Sequence, residues 1–212
     1  MLGTENLAVF VGTGILLNLF PGPDTLYIIG RSLSQGKAAG ICAALGISTG
    51  AIVHTLLGAF GLSALLATSA YAFTILKYAG CAYLVYQGIR LFTERVSRGD
   101  APEGKLSRAG LQRIYRQGAV TNILNPKVAL FFLAFLPQFI SFSSPNKPLS
   151  FIVLGALFVT TGTIWCLIVA VFASSLSRRM RQSDVMSNRL RKINGGLFVL
   201  LGLKLATAKL AS

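Results

Sequence analysis

The chain has 212 residues, of which 53% are hydrophobic and 12% charged, and a formal net charge of +14. Soluble domains carry about 25% charged residues. Half that share, with a mean hydropathy of +0.66, excludes a disordered tail and argues against a soluble globule.

The first apolar window, 6–29, follows Glu5 with no basic segment before it. That argues against a cleaved signal peptide, so the first span is expected to stay. From Ala38 to Leu76 there is no Asp, Glu, Lys or Arg. A bilayer core takes about 20 helical residues, so this stretch predicts two spans, 38–65 and 70–92, turning at Ala67-Thr68-Ser69. Further windows cover 117–140, 149–175 and 193–210. Helices satisfy their own backbone groups in lipid, and the alternating strands of a closed barrel are missing from the pattern. The expected fold is an all-α integral membrane protein with six transmembrane helices in one domain, 1–212. Cys42, Cys81 and Cys166 fall inside spans, with no CxxC and no Cys/His metal spacing. They read as packing residues, and no cofactor or metal site is expected. Trp165 and most phenylalanines read as lipid-facing or core. Gly40, Gly46, Gly50 and Gly58 read as points of close helix approach.

The basic residues cluster beside these spans. Loop 1–2 carries Arg31 and Lys37. Loop 3–4 and its entry carry Arg90, Arg95, Arg98, Lys105, Arg108, Arg113 and Arg116. Loop 5–6 carries Arg178, Arg179, Arg181, Arg189, Arg191 and Lys192. The opposite side has Lys147 and Lys209, while Lys77, Lys127 and Lys204 lie within spans. The positive-inside rule predicts these three loops in the cytoplasm and both termini outside. Nucleic acid would need a soluble basic face, which span-flanking charge does not make. Anionic lipid suits the basic loops better.

The two halves echo each other. Pro23-Asp24 matches Pro126-Lys127, Thr49-Gly50-Ala51-Ile52 matches Thr161-Gly162-Thr163-Ile164, and Gly88-Ile89-Arg90-Leu91 matches Gly202-Leu203-Lys204-Leu205. The offsets are 103, 112 and 114, in chain order. Three spans per half predict two inverted repeats, 6–92 and 117–210, joined by a cytoplasmic linker, 93–116. Inverted repeats characterise secondary transporters.

Pro21-Gly22-Pro23 interrupts span 1, and Asn125-Pro126 interrupts span 4. Proline removes a donor and clashes with the preceding turn, while Pro at the first helical position after Gly or Asn starts a new helix. Each span then reads as two half-helices, the second beginning inside the membrane. A simple proline kink is the plainer reading. Broken helices at matching places in two halves point to a transporter's binding site. Asp24 lies roughly 10 Å from the end marked by Arg31, and Lys127 roughly 16 Å past Arg116, at 1.5 Å per residue. An unpaired charge at such depth costs at least about 2.5–3.5 kcal/mol. The helix dipole favours Asp24 and opposes Lys127. Two readings follow: a structural Asp24–Lys127 ion pair, or a zwitterion site with Asp24 toward the ammonium and Lys127 toward the carboxylate. Asn18, Asn122 and Asn125 would add uncharged contacts. Asp24, the only acid inside a span, is the proton-carrier candidate. His54 reads equally as a proton relay or as a neutral packing residue. Lys77, Arg90 and Lys204 lie near span ends, where they can snorkel.

Three motifs stand together: Leu19-Phe20-Pro21-Gly22-Pro23-Asp24-Thr25; Gly36 through Gly50, followed by His54; and Asn122-Ile123-Leu124-Asn125-Pro126-Lys127, with Phe131 and Leu136-Pro137-Gln138-Phe139 after it. In combination they resemble the RhtB branch (exporters of homoserine, threonine and related compounds) of the lysine-exporter, or LysE, superfamily, over essentially the whole chain. The resemblance implies a six-helix exporter of the bacterial inner membrane, coupled to the proton gradient. It implies substrates among homoserine, its lactone, threonine, leucine and basic amino acids. Its motifs fall on Pro21, Gly22, Pro23, Asp24, Asn125, Pro126, Lys127 and Gln138. The alternative within the superfamily is a metal or inorganic-ion exporter. Metal sites favour several carboxylates, His or Cys, and the spans hold only Asp24 and His54 beside scattered cysteines. An enzyme or thiol–disulfide carrier lacks a visible nucleophile–base pair or CxxC. Buried opposite charges beside two helix breaks favour a carrier over a channel or structural subunit. The expected partners are a small zwitterion, membrane lipid and the proton gradient. A homodimer is compatible with a carrier this small.

Overall fold

The computed structural model describes residues 3–19, 21–63, 109–141 and 144–175, with individual helical positions within 71–89 and 192–203. The described residues are α-helical apart from short π and 3-10 turns, the connecting loops and one isolated bridge, Thr4 with Ile140. The chain is an all-α membrane protein.

Helix α1 (Leu7–Leu19) and helix α2 (Pro23–Gln35) form one broken span, bent by 49°. The break follows from Pro21 and Pro23, which leave the carbonyls of Leu17 and Leu19 without their i+4 donors. Gly22 is extended at the N-cap and Pro23 opens α2. A single residue, Gly36, separates α2 from helix α3 (Lys37–Leu57). Its φ of +87° lies where only glycine is unstrained, and the space around it is open, so the dihedral alone requires glycine. Helix α3 runs into a π-turn at Gly58–Leu62.

Helix α4 (Leu111–Ile123) and helix α5 (Pro126–Leu130) form the second broken span, bent by 47° where α5 continues to Phe139. Beyond α5 the chain widens into a π-turn, Phe131–Phe135, then tightens into a 3-10 turn, Leu136–Phe139. The end of this segment is tied to the N-terminus: Glu5 N donates to Phe139 O at 2.8 Å, and Ser141 N to Gly3 O at 2.9 Å. Helix α6 (Lys147–Ser175) is unbroken over 29 residues.

Glycines set the spacing. A Cβ on Gly118 would meet Ala43 O at 2.7 Å, one on Gly50 would meet Asn122 Cβ at 2.7 Å, and one on Gly46 would run into Tyr115 O. Helices α3 and α4 therefore cross backbone to backbone, as small residues permit in membranes. Gly40 lies against Ser32 and Ala170, and Gly58 against Phe151, so all four predicted approach points are contacts. One core is aromatic, built on Phe10, Phe131, Phe132, Phe135, Phe139 and Phe158. The other gathers Ile28, Ile47 and Ile114 with small alanines of α3. Outward residues are apolar: Phe60 and Phe172 are each 67% exposed, as lipid-facing surface requires.

The structure moves several boundaries. The first span extends to Gln35, past the predicted 29, and the fourth starts at Leu111, ahead of the predicted 117. Arg31 is therefore not a loop residue. It lies in α2, 4% exposed. Its Nη1 donates to Gln35 Oε1 at 2.9 Å, its Nη2 to Gln117 Oε1 at 2.8 Å, and its guanidinium lies 5.6 Å from the Tyr27 ring centroid. Hydrogen bonds and ring contact hold this cation inside the fold instead of exposing it beside the membrane. Arg113 and Arg116 likewise lie on α4. The predicted turn at 67–69, the linker from 93 to 108, Lys77, Arg90, Lys204 and most of spans 3 and 6 fall outside the described residues; the described positions in those two spans are helical.

Candidate functional site

The two helix breaks meet. Asn122 lies in the last turn of α4, and its carbonyl would normally accept from residue 126, which is Pro126 and has no N–H. Instead Asn125 N donates to it at 2.9 Å and His54 Nε2 at 3.2 Å. Asn125 caps α5, its Oδ1 accepting from Lys127 N at 3.0 Å. That fixes the Asn125 carboxamide. Asn122 Nδ2 and Asn125 Nδ2 each donate to Asp24 Oδ2 at 2.8 Å. The carboxylate at the first break is thus held by the side chains of the second. The reverse reach comes from Lys127: a Cβ on Gly22 would lie 3.8 Å from its Cδ and 4.0 Å from its Nζ. The cation of the second break therefore lies against the N-cap of α2, where the dipole opposes it.

Between the two cores lies a cavity of about 40 Å³. At roughly 10–15 Å³ per probe sphere, it has room for about three waters. Asp24, Asn122, Asn125, Lys127 and Asn18 line it, with Ser48 and Thr163. Its apolar wall includes Leu17, Ile47, Val128 and Phe158. Phe158 stacks on Phe131 with centroids 4.4 Å apart.

Four side-chain atoms of the lining are sealed from solvent and lack a hydrogen-bond partner: Asp24 Oδ1, Asn122 Oδ1, Asn18 Nδ2 and Trp165 Nε1. Leaving such a group unmade costs about 1–3 kcal/mol, more for a charge. Two unmade acceptors and two unmade donors on the residues around one small cavity suit a ligand with both kinds of group.

The sequence-predicted residues divide. Asp24, Lys127, Asn18, Asn122, Asn125 and Gly22 come together at the cavity. Pro21, Pro23 and Pro126 make the breaks. Gln138 is absent from the lining; its Nε2 donates to Ala134 O at 2.8 Å, one turn back on its own segment. His54 also stays off the lining, stacked on Phe132 with centroids 5.7 Å apart. Trp165 and Cys166, read as lipid-facing or packing residues, in fact belong to the cavity wall. Sequence reading also missed Thr25, Ser48 and Thr163. Ser48 and Thr163 lie in or beside the repeated Thr-Gly motifs, and their hydroxyls meet at 2.7 Å. That repeat was the signal that could have found them. Among the described residues, no three of His, Cys, Asp and Glu gather as a metal site would need.

Residues 15–209 match the family described as LysE type translocator. An uncharacterized membrane protein of Vibrio cholerae is 35% identical over 198 residues, covering 93% of this chain and 94% of its own. The uncharacterized membrane protein YrhP of Bacillus subtilis is 29% identical over 207 residues, covering 94% and 98%. An uncharacterized membrane protein of Pseudomonas aeruginosa is 29% identical over 213 residues, covering 99% of each. No solved structure matches.

Proposed function

Since the chain belongs to the LysE type translocator family, we propose that it is an RhtB-branch secondary transporter that exports an amino acid or amino-acid derivative, such as homoserine, homoserine lactone, threonine or leucine, by proton antiport. The observation that carries this reading is the crossed pair of helix breaks, with Asp24 and Lys127 lining one cavity. A zwitterion matches that lining in charge, and the two breaks must part to admit it, because the cavity has room for only about three waters. Its ammonium faces Asp24, and its carboxylate faces Lys127 and the N-cap of α2. A metal or inorganic-ion cargo would meet a site with a single carboxylate and a lysine, a poor donor set.

Asp24 also couples the proton. Its Oδ2 is occupied by two carboxamides, so Oδ1, buried and without a hydrogen-bond partner, is the oxygen left to bind. That oxygen accepts either an ammonium N–H or a proton, not both. Substrate leaves the cytoplasm against ionised Asp24. On the far side a proton displaces the ammonium, and the protonated, neutral carrier returns. One carboxylate gives one proton inward per zwitterion outward. One positive charge then enters per cycle, so both the pH gradient and the membrane potential drive export. The protein belongs in the bacterial inner membrane with both termini outside, and a homodimer suits its size.

The direct test is reconstitution. Proteoliposomes holding the protein should accumulate threonine, leucine or homoserine against its gradient when a proton gradient of the right sign is imposed, and a protonophore should abolish this. Downhill equilibration alone, indifferent to the proton gradient, would make the protein a channel and defeat the proposal.

A further inference from the structure

The cavity wall holds two donors whose role the crossed breaks do not explain. Trp165 lies on α6 with its ring half-buried, yet its Nε1 is sealed from solvent and has no hydrogen-bond partner. Asn18, on α1, has an Nδ2 in the same condition. Both residues line the cavity with Lys127. Asn18 packs over Gly162, one turn before Trp165 on the same helix; a Cβ at Gly162 would lie 3.2 Å from Nδ2. Positions 162 and 165 are three apart, so they share a helix face. An indole nitrogen donates and never accepts, and native interiors rarely leave such a donor unmade. The two unmade acceptors, Asp24 Oδ1 and Asn122 Oδ1, come from α2 and α4. The unmade groups are therefore divided by element: donors on α1 and α6, acceptors on α2 and α4.

We propose that Trp165 Nε1 and Asn18 Nδ2 bind the carboxylate of the transported molecule, beside Lys127. This rests on the reading of the cavity as a zwitterion site and assigns it residues that the two breaks do not supply. An N–H fork on one side and a carboxylate on the other orient the ligand. They also favour an amino acid over its amide or ester, which keep the ammonium and lose the anionic end; of the proposed cargoes this sets homoserine, threonine and leucine above homoserine lactone. Gly162 is the space in which Asn18 sits, so a methyl group there pushes the carboxamide off its position.

Trp165 is the only tryptophan in the chain, so intrinsic fluorescence of the full-length protein in lipid nanodiscs reports on this ring alone. The probes are L-threonine, L-leucine and L-homoserine, each beside its carboxamide. An exported amino acid should shift the emission saturably, and its carboxamide should not. Trp165→Phe keeps an aromatic ring and removes the N–H. It should raise the transport KM by about 10- to 160-fold, the range of one hydrogen bond to a charge, with kcat little changed. Asn18→Leu should act in the same direction. Equal shifts from an amino acid and its carboxamide would overturn the assignment, and so would an unchanged KM in Trp165→Phe while wild type exports normally. The fluorescence arm needs only the wild type, so a poorly folding variant does not remove the test. If wild type exports none of the amino acids, the functional reading fails first and takes this assignment with it.

Discussion

Asp24→Asn is the sharpest perturbation of this site. Asp24 Oδ2 accepts from Asn122 Nδ2 and Asn125 Nδ2, each at 2.8 Å. An asparagine at position 24 must turn its own oxygen toward those two donors, because its NH₂ would oppose them. The NH₂ then takes the place of Oδ1, and the unmade acceptor beside the cavity becomes a donor. An ammonium loses a hydrogen bond to charge worth about 1.5–3 kcal/mol, a factor of about 10 to 160 in affinity at 1.36 kcal/mol per decade. The proton carrier is lost outright. Removing a charge from the membrane interior relieves about 2.5–3.5 kcal/mol of insertion cost, so the protein should reach the membrane in undiminished amount. The assay is export from whole cells, with membrane content measured by immunoblot. Loss of export at normal abundance is expected. Wild-type, protonophore-sensitive export by Asp24→Asn would refute the reasoning, because no other acid lies within a predicted span.

Lys127→Gln should likewise abolish export at normal membrane abundance, read in the same assay. Gly118→Val should lower the melting temperature of the purified protein, because its branched side chain would enter a gap where Ala43 O lies 2.7 Å from a Cβ; overpacking of this kind costs about 1–3 kcal/mol. His54→Gln should keep protonophore-sensitive export, since His54 supports the Asn122 carbonyl instead of lining the cavity; loss of the coupling alone would make it a relay. In proteoliposomes with no pH gradient, a potential of 100 mV, interior positive, should support about a 50-fold accumulation, from about 2.3 kcal/mol per charge. Indifference to potential would contradict entry of one charge per cycle.

Much of this was legible in the sequence because its causes are local. Proline at 21, 23 and 126 breaks helices wherever it falls, and a charge in an apolar stretch demands company. Those two facts led to Asp24, Lys127 and the neighbouring asparagines. The long uncharged windows gave the spans, and α6 matches its predicted range within two residues at its start. What stayed hidden depends on which helix faces which. Trp165 and Cys166 look like any apolar-span residues until α1 lies against α6. Gln138 carries the motif yet spends its amide on Ala134 O. Arg31 read as a loop charge because nothing local announces Gln117, 86 positions away, as its partner. The asparagine pair was found as candidate ligands, but its work in gripping Asp24 Oδ2 depends on how the two breaks cross.

The central claim is that this cavity carries amino acids outward at the expense of the proton gradient. The most direct measurement is export from cells overproducing the protein, fed a panel of dipeptides that are hydrolysed inside, with each free amino acid followed in the medium. The account predicts a rise for one or a few amino acids, lost on adding a protonophore and lost in Asp24→Asn. No rise for any amino acid above cells lacking the protein, with the protein present in the membrane, would contradict it.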